Sequence, residues 1–347
     1  MRRVSSAAFV AISIAASVAG QAAAQEPEVT LTVHHFLGPQ SPAHTQFIEP
    51  WARRIEEQSD GRIAVEIYPS MSLGGAPPEL YRQVRDGVAD IVWTVFGYTP
   101  GVFPRSEVFE LPTVHRGSAR ATTLALQDAL DQIAPDFEDV HPILIHAHAG
   151  QAIHMVDRPI HDVEDLAGLK LRIPSRTGAM MIEAWDAQPV GMPVPELPQA
   201  LSKGVVDGAL IPFEVTLPLK VHELTKQSIE GPDGRRFGTT VFGYLMNKER
   251  YDSLPDDLKA VIDANSGAAI AAEIGQVWDD VEIPGKEATV ASGSEIIVLD
   301  ETAMIGFDER SKEVEEHWLA DMDAQGIDGQ ALLDAAKAAV AAHSETN

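Results

Sequence analysis

Arg172 is the side chain here best suited to chemistry with a small anion. It sits near the end of Leu169-Lys170-Leu171-Arg172-Ile173, a short run with alternating apolar residues that stops at Pro174 and reads as a strand. A guanidinium offers a carboxylate two parallel N–H donors, which Lys cannot reproduce. In open α/β sheets, ligands gather at the carboxyl ends of the strands. The alternative role is an ion pair with one of the 52 acidic side chains. Trp93, Phe96, Tyr98 and Phe213 could line an apolar pocket or pack in a core, and His35, Phe36, Gln151 and Glu214 are further pocket candidates.

The other reactive residue types point to no catalyst. His146 and His148 share one face of a predicted strand, His141 and His154 lie nearby, and His34 and His35 sit on another. Exported zinc sites combine His with a carboxylate, but this spacing matches no ligand signature, so no metal or cofactor is expected. The absence of Cys excludes thiolate nucleophiles and iron–sulfur clusters. Gly-x-Ser-x-Gly, His-Glu-x-x-His and a phosphate-binding loop are also absent, and no two carboxylates stand out as a glycosidase pair.

The elements that must position Arg172 carry a repeated phrase. Residues 78–90 and 195–207 share the pattern Pro-Glu-Leu-x-x-x-(Val/Leu)-x-x-Gly-Val-x-Asp. Pro and Glu suit the first turn of a helix, and Gly87 and Gly204 fit the left-handed position after its end. Each copy leads into an apolar run, at 91–93 and 209–211. Further strands are expected at 29–35, 62–68, 142–148, 169–173, 189–192 and 238–247, with helices near 44–59, 117–133, 177–185, from 255 past 278, and through the tail after 301. The alternation argues for an α/β protein of two lobes with mainly parallel sheets and a ligand cleft between them. A long helix near 255–280 should contact both lobes. Lobe I is expected at 27–150 plus 240–278, and lobe II at 151–239 plus 279–340.

Residues 1–25 read as an export signal: Arg2 and Arg3, an apolar stretch over 7–18, and a small-residue cleavage site near Ala24. The expected location is the periplasm, with no lipid anchor because no Cys follows the apolar stretch. The formal net charge is −26; without residues 1–25, 24 basic against 52 acidic side chains leave about −28. That argues against nucleic-acid partners, which need basic patches.

Four segments in order resemble one family. They are Gly-Arg-Ile-Ala-Val-Glu-Ile-Tyr-Pro at 61–69 with Leu73-Gly74, Asp-Leu-Ala-Gly-Leu-Lys-Leu-Arg-Ile at 165–173, Gly-Val-Val-Asp-Gly at 204–208, and Met246-Asn247-Lys248 followed by Ser253-Leu254-Pro255. The chain resembles the periplasmic solute-binding subunit of a TRAP (tripartite ATP-independent periplasmic) transporter, of the DctP type. The resemblance implies capture of a small organic acid by a non-enzymatic, monomeric protein and delivery to membrane permease subunits. It implies that Arg172 holds the carboxylate. Gln151-Ala152-Ile153-His154 stands where many members carry a second Arg, and Ile211-Pro212 then Phe213-Glu214 where many carry Asn before Pro. Both departures point to a monocarboxylate with an apolar, even aromatic, body. The alternatives are a metal- or peptide-binding protein of an ATP-driven importer and a secreted hydrolase.

Overall fold

The computed structural model describes residues 26–344; the export signal read at 1–25 lies outside them. The strands are β1 (Val29–His35), β2 (Ile63–Tyr68), β3 (Ile91–Val95), β4 (Val140–Ala147), β5 (Ala152–Met155), β6 (Lys170–Ile173), β7 (Gln188–Gly191), β8 (Gly208–Ile211), β9 (Gln227–Glu230), β10 (Val241–Asn247) and β11 (Glu295–Val298). They form two sheets, ordered β2-β1-β3-β10-β4 and β11-β9-β5-β8-β6-β7. The central strands β3 and β10 are buried throughout, which suits continuous apolar runs covered on both faces.

The sheets are mixed rather than mainly parallel. β10 runs antiparallel to β3 and β4, and β5 antiparallel to β8 and β9. The reason is where the chain changes lobes. β1, β3, β4, β6 and β8 end at the cleft, whereas β5 and β10 each begin there, just after a crossing from the other sheet. A strand that starts at the cleft must run away from it. The crossings, 148–151 and 231–240, are bonded to one another: Gln151 N–H donates to Gly238 O at 2.8 Å, and Phe237 N–H to Gln151 O at 2.9 Å. Thr239 Oγ1 donates to His148 O at 2.8 Å.

The helix expected to join the lobes is a tandem. Asp256–Ala264 stops before Gly267, whose φ of 53° is left-handed; Ala268–Asp280 follows, then Glu282–Ala291. Pro284 cannot donate to the carbonyl four residues back, which explains the break at Val281. Ala268–Asp280 packs on Ala119–Asp128 beside the first sheet, and Glu282–Ala291 packs on the 213–215 turn after β8. The tail divides between the lobes. Helix Glu301–Ala324 lies on Arg176–Ala184 of the second lobe, whereas Gly329–Ser344 returns to Ala119–Asp128 of the first. Gly329–Ser344 thus departs from the expectation that all of 279–340 belongs to the second lobe. The apolar stripe Leu332, Leu333, Ala336 and Val340 requires a covering surface without specifying which one.

Both copies of the repeated phrase adopt one structure. A 3₁₀ turn leads into a short helix, Leu80–Arg85 or Leu197–Ser202, and then into β3 or β8. Gly87 and Gly204 have φ of 72° and 65°. The final Asp ties the parallel neighbour strand. Asp90 Oδ2 accepts from Thr32 N at 2.8 Å and Thr32 Oγ1 at 2.9 Å, and Asp207 Oδ2 accepts from Lys170 N at 2.8 Å. Asp90→Ala is expected to destabilise the fold by about 1–3 kcal/mol by leaving these donors unpaired. Urea unfolding checks this, and a stability equal to wild type would refute it.

Candidate ligand-binding cleft

Arg172 is 2% exposed. Its Nε donates to Met192 O at 2.9 Å and its Nη1 to Leu210 O at 3.3 Å, while Nη2 is buried with no hydrogen-bond partner. These partners are neutral carbonyls, not carboxylates. Burial pulls its pKa down, and Tyr98 and Glu196 partly restore it. Guanidinium starts so high that it keeps its charge. A buried cation without a counter-ion is costly, so this position favours an incoming anion.

Arg172 faces a small cavity between the sheets. The same cavity is lined by Phe36, Trp93, Tyr98, Gln151 and Glu214. On the first lobe, Phe36, Trp93 and Phe242 make a wall of near-parallel rings, with centroids 4.8 Å apart for Phe36–Trp93 and 5.0 Å for Trp93–Phe242. The Trp93 indole is fixed by donating Nε1–H to His146 Nε2 at 2.9 Å. That bond makes His146 Nε2 an acceptor, and burial lowers its pKa to about 3, so the ring is neutral. Gln151 donates Nε2–H to Thr240 Oγ1 at 2.7 Å and leaves its Oε1 unpartnered.

Three residues read as pocket candidates lie outside this lining. His35 bonds His44 through Nε2 at 3.0 Å and meets Trp93 edge-on, and burial first, then His44, lower its pKa to about 3. Phe96 stacks on Phe103 at 3.9 Å. Phe213 turns under Arg236 and Lys286, whose cationic groups stand 5.1 and 5.4 Å from its ring. Phe36 and Glu214 line the cavity, whereas their chain neighbours His35 and Phe213 do not. Phe242, His148 and Thr240 also line the cavity and were not read as pocket residues from sequence. Their one signal is position, at the start of β10 or in the crossings. Among the described residues, no group of three His, Asp or Glu side chains could hold a metal ion.

The lobes meet tightly around this cavity. Gly97, in the turn after β3, packs against Pro174 and Ser175 of the second lobe; a Cβ there would lie 2.7 Å from Pro174 O. Tyr98 Oη accepts from Val194 N–H at 2.9 Å across the cleft. Nearer the crossings, Arg176 pairs with Glu107, and Glu110 accepts from Thr177 Oγ1 and from Val241 N–H at 3.0 Å. Burial raises the Glu110 pKa to about 7, although Thr177 and the Val241 N–H oppose the shift.

Two sheets hinged by paired crossings over a cation-bearing cavity define a two-lobed solute-binding protein. Residues 33–331 match the family of bacterial extracellular solute-binding proteins, family 7 (DctP), and the chain belongs to that family. Its structure is similar to that of a marine metagenome TRAP solute-binding protein specific for aromatic acid ligands, crystallised with 3-hydroxybenzoate. The two are 42% identical, over 92% of this chain and 99% of that one, with a TM-score of 0.89. A TRAP solute-binding protein from Rhodoferax ferrireducens T118 holding copurified benzoate is 40% identical, over 91% and 99%, with a TM-score of 0.88. The protein named outer membrane transporter protein TsaT, from Comamonas testosteroni, is 27% identical over 92% of this chain and 94% of its own.

Gly97→Ala should hold the lobes apart without touching the ligand. Its φ is not left-handed, so the open form should tolerate the methyl group. Carboxylate affinity measured by calorimetry is expected to fall roughly tenfold or more, since closure must then overcome a steric clash, with the ligand-free melting temperature little changed. Unaltered affinity would contradict this account of closure. Glu110 makes a pH prediction. Its folded pKa is raised from 4.5 to about 7, so the protonated form is favoured in the fold and its contribution is lost as pH rises across that window. Relative to wild type, Glu110→Gln should therefore gain stability at pH 8 compared with pH 5. Thermal unfolding at both values tests this, and an equal difference at both would refute it.

Proposed function

We propose that this chain is the exported solute-binding subunit of a TRAP transporter and that its ligand is an aromatic monocarboxylate. The observation that carries the reading is Arg172 itself, a buried cation without a carboxylate partner that lines a cavity walled by stacked rings. Gln151 adds no second cation, which favours one carboxylate over two. The ring wall of Phe36, Trp93 and Phe242 complements a planar apolar body. The relatives crystallised with 3-hydroxybenzoate and benzoate support the same class of ligand.

In this reading lobe I comprises 27–150 and 240–278, and lobe II comprises 151–239 and most of the chain from 279. The acid binds Arg172 on lobe II, and its ring then contacts Trp93 and Phe36 on lobe I. Only a ligand that touches both lobes shifts the equilibrium toward the closed form. The closed, monomeric protein presents its cargo to the membrane permease subunits and carries out no turnover itself.

Benzoate at about a hundredfold over its Kd should stabilise the protein by about 2.7 kcal/mol, read as a rise in melting temperature. Succinate and glucuronate should give little rise. Arg172→Ala is expected to abolish the benzoate effect, and Arg172→Lys to leave a weaker one, because an ammonium cannot present the same planar pair of donors. Full stabilisation of Arg172→Ala by benzoate would overturn the reading.

A further inference from the structure

Glu214 is the unexplained group in the cavity. It follows β8 in the turn Phe213–Val215, is 4% exposed and lines the cavity that holds Arg172. Its backbone N–H donates to Glu282 Oε1 at 2.9 Å, but its own Oε2 is buried without any partner. The nearby cations are already engaged. Arg236 pairs with Glu230 and, at 3.0 Å, with Glu282, while Lys286 pairs with Glu230 at 2.8 Å. Burial, then the charge of Glu282, push the Glu214 carboxyl well above its ordinary range, which favours the protonated form. Arg172 and Glu214 line the same cavity, and no salt bridge joins them.

A buried carboxyl without a partner costs free energy that Leu or Met at the same place would not. The cost is recovered if the ligand supplies the partner. A protonated carboxyl offers one O–H donor and an acceptor, the complement of a hydroxyl, which has both. We infer that Glu214 is a specificity-determining residue that hydrogen-bonds a hydroxyl on the ring of the acid held by Arg172. The inference rests on the aromatic-monocarboxylate reading and names the substituent within that class.

The test compares benzoate with 3-hydroxybenzoate and 4-hydroxybenzoate by calorimetry on the wild-type protein, Glu214→Leu and Glu214→Gln. Wild type should bind at least one hydroxybenzoate about tenfold or more tightly than benzoate, because a site built to pair a hydroxyl discriminates against the analogue lacking it. That ratio should fall to near one in Glu214→Leu and persist in Glu214→Gln, which keeps a donor and an acceptor. A wild type that binds benzoate as well as both hydroxybenzoates overturns the role of Glu214 while leaving the aromatic-acid reading intact, and needs no variant to fold. A preference that survives in Glu214→Leu also overturns it. Failure of all three acids to bind overturns the underlying reading and this inference with it.

Discussion

The architecture depends on one uncompensated charge. Arg172 has been taken out of water, and its bonds to Met192 O and Leu210 O fix its plane without neutralising it. An ion pair at this place would make the site self-sufficient and indifferent to solute. With carbonyl partners, the guanidinium is oriented and remains electrostatically unsatisfied, a condition that an external carboxylate can relieve. The strand pairing serves that end. β6 is held between β7 and β8, so both the backbone that orients Arg172 and the turn that carries Glu214 rest on one sheet.

The two lobes can use that charge because of how the chain crosses between them. β5 and β10 start at the cleft, and the crossings that feed them are hydrogen-bonded to one another. Gln151 and Thr240 therefore belong at once to the hinge and to the cavity edge. Closure brings turns together rather than sheets: Gly97 against Pro174, and Tyr98 onto the Val194 N–H. These contacts involve few groups, in keeping with lobes that must open again to release their cargo.

Arg172 was legible in the sequence because its meaning is local: a strand, its carboxyl end and a guanidinium. The repeat was legible for the same reason, since the Gly and Asp of each copy act within a few residues and on one neighbouring strand. What could not be read depends on parity or on partner. A strand ending in a 3₁₀ turn does not disclose whether Phe213 or Glu214 faces inward. All seven residues of β10 are buried, so nothing in that run marks Phe242 as the one that lines the cavity. β9 (Gln-Ser-Ile-Glu) and β11 (Glu-Ile-Ile-Val) show no clean apolar–polar alternation that would mark them as strands. The final helix advertises an apolar stripe but not the surface that covers it.

Burial acts on every titratable group in the cleft, yet with different outcomes, and this sets what the cavity accepts. It drives His148 and His146 toward the neutral imidazole and Glu214 toward the neutral acid. It lowers the pKa of Arg172 too, but from so high a start that the charge survives. Among the cavity-lining residues Arg172 is the one that stays cationic, on a chain whose formal charge is −26. That acidic exterior is screened within about 8 Å at physiological ionic strength, so it does not govern binding inside the closed lobes. One cation in the cavity lining, neutral hydrogen-bonding groups and a wall of aromatic rings suit a monoanion. In the proposed reading its carboxylate is held by that charge, and its body is selected by shape and by the hydrogen bonds that the neutral groups can still make.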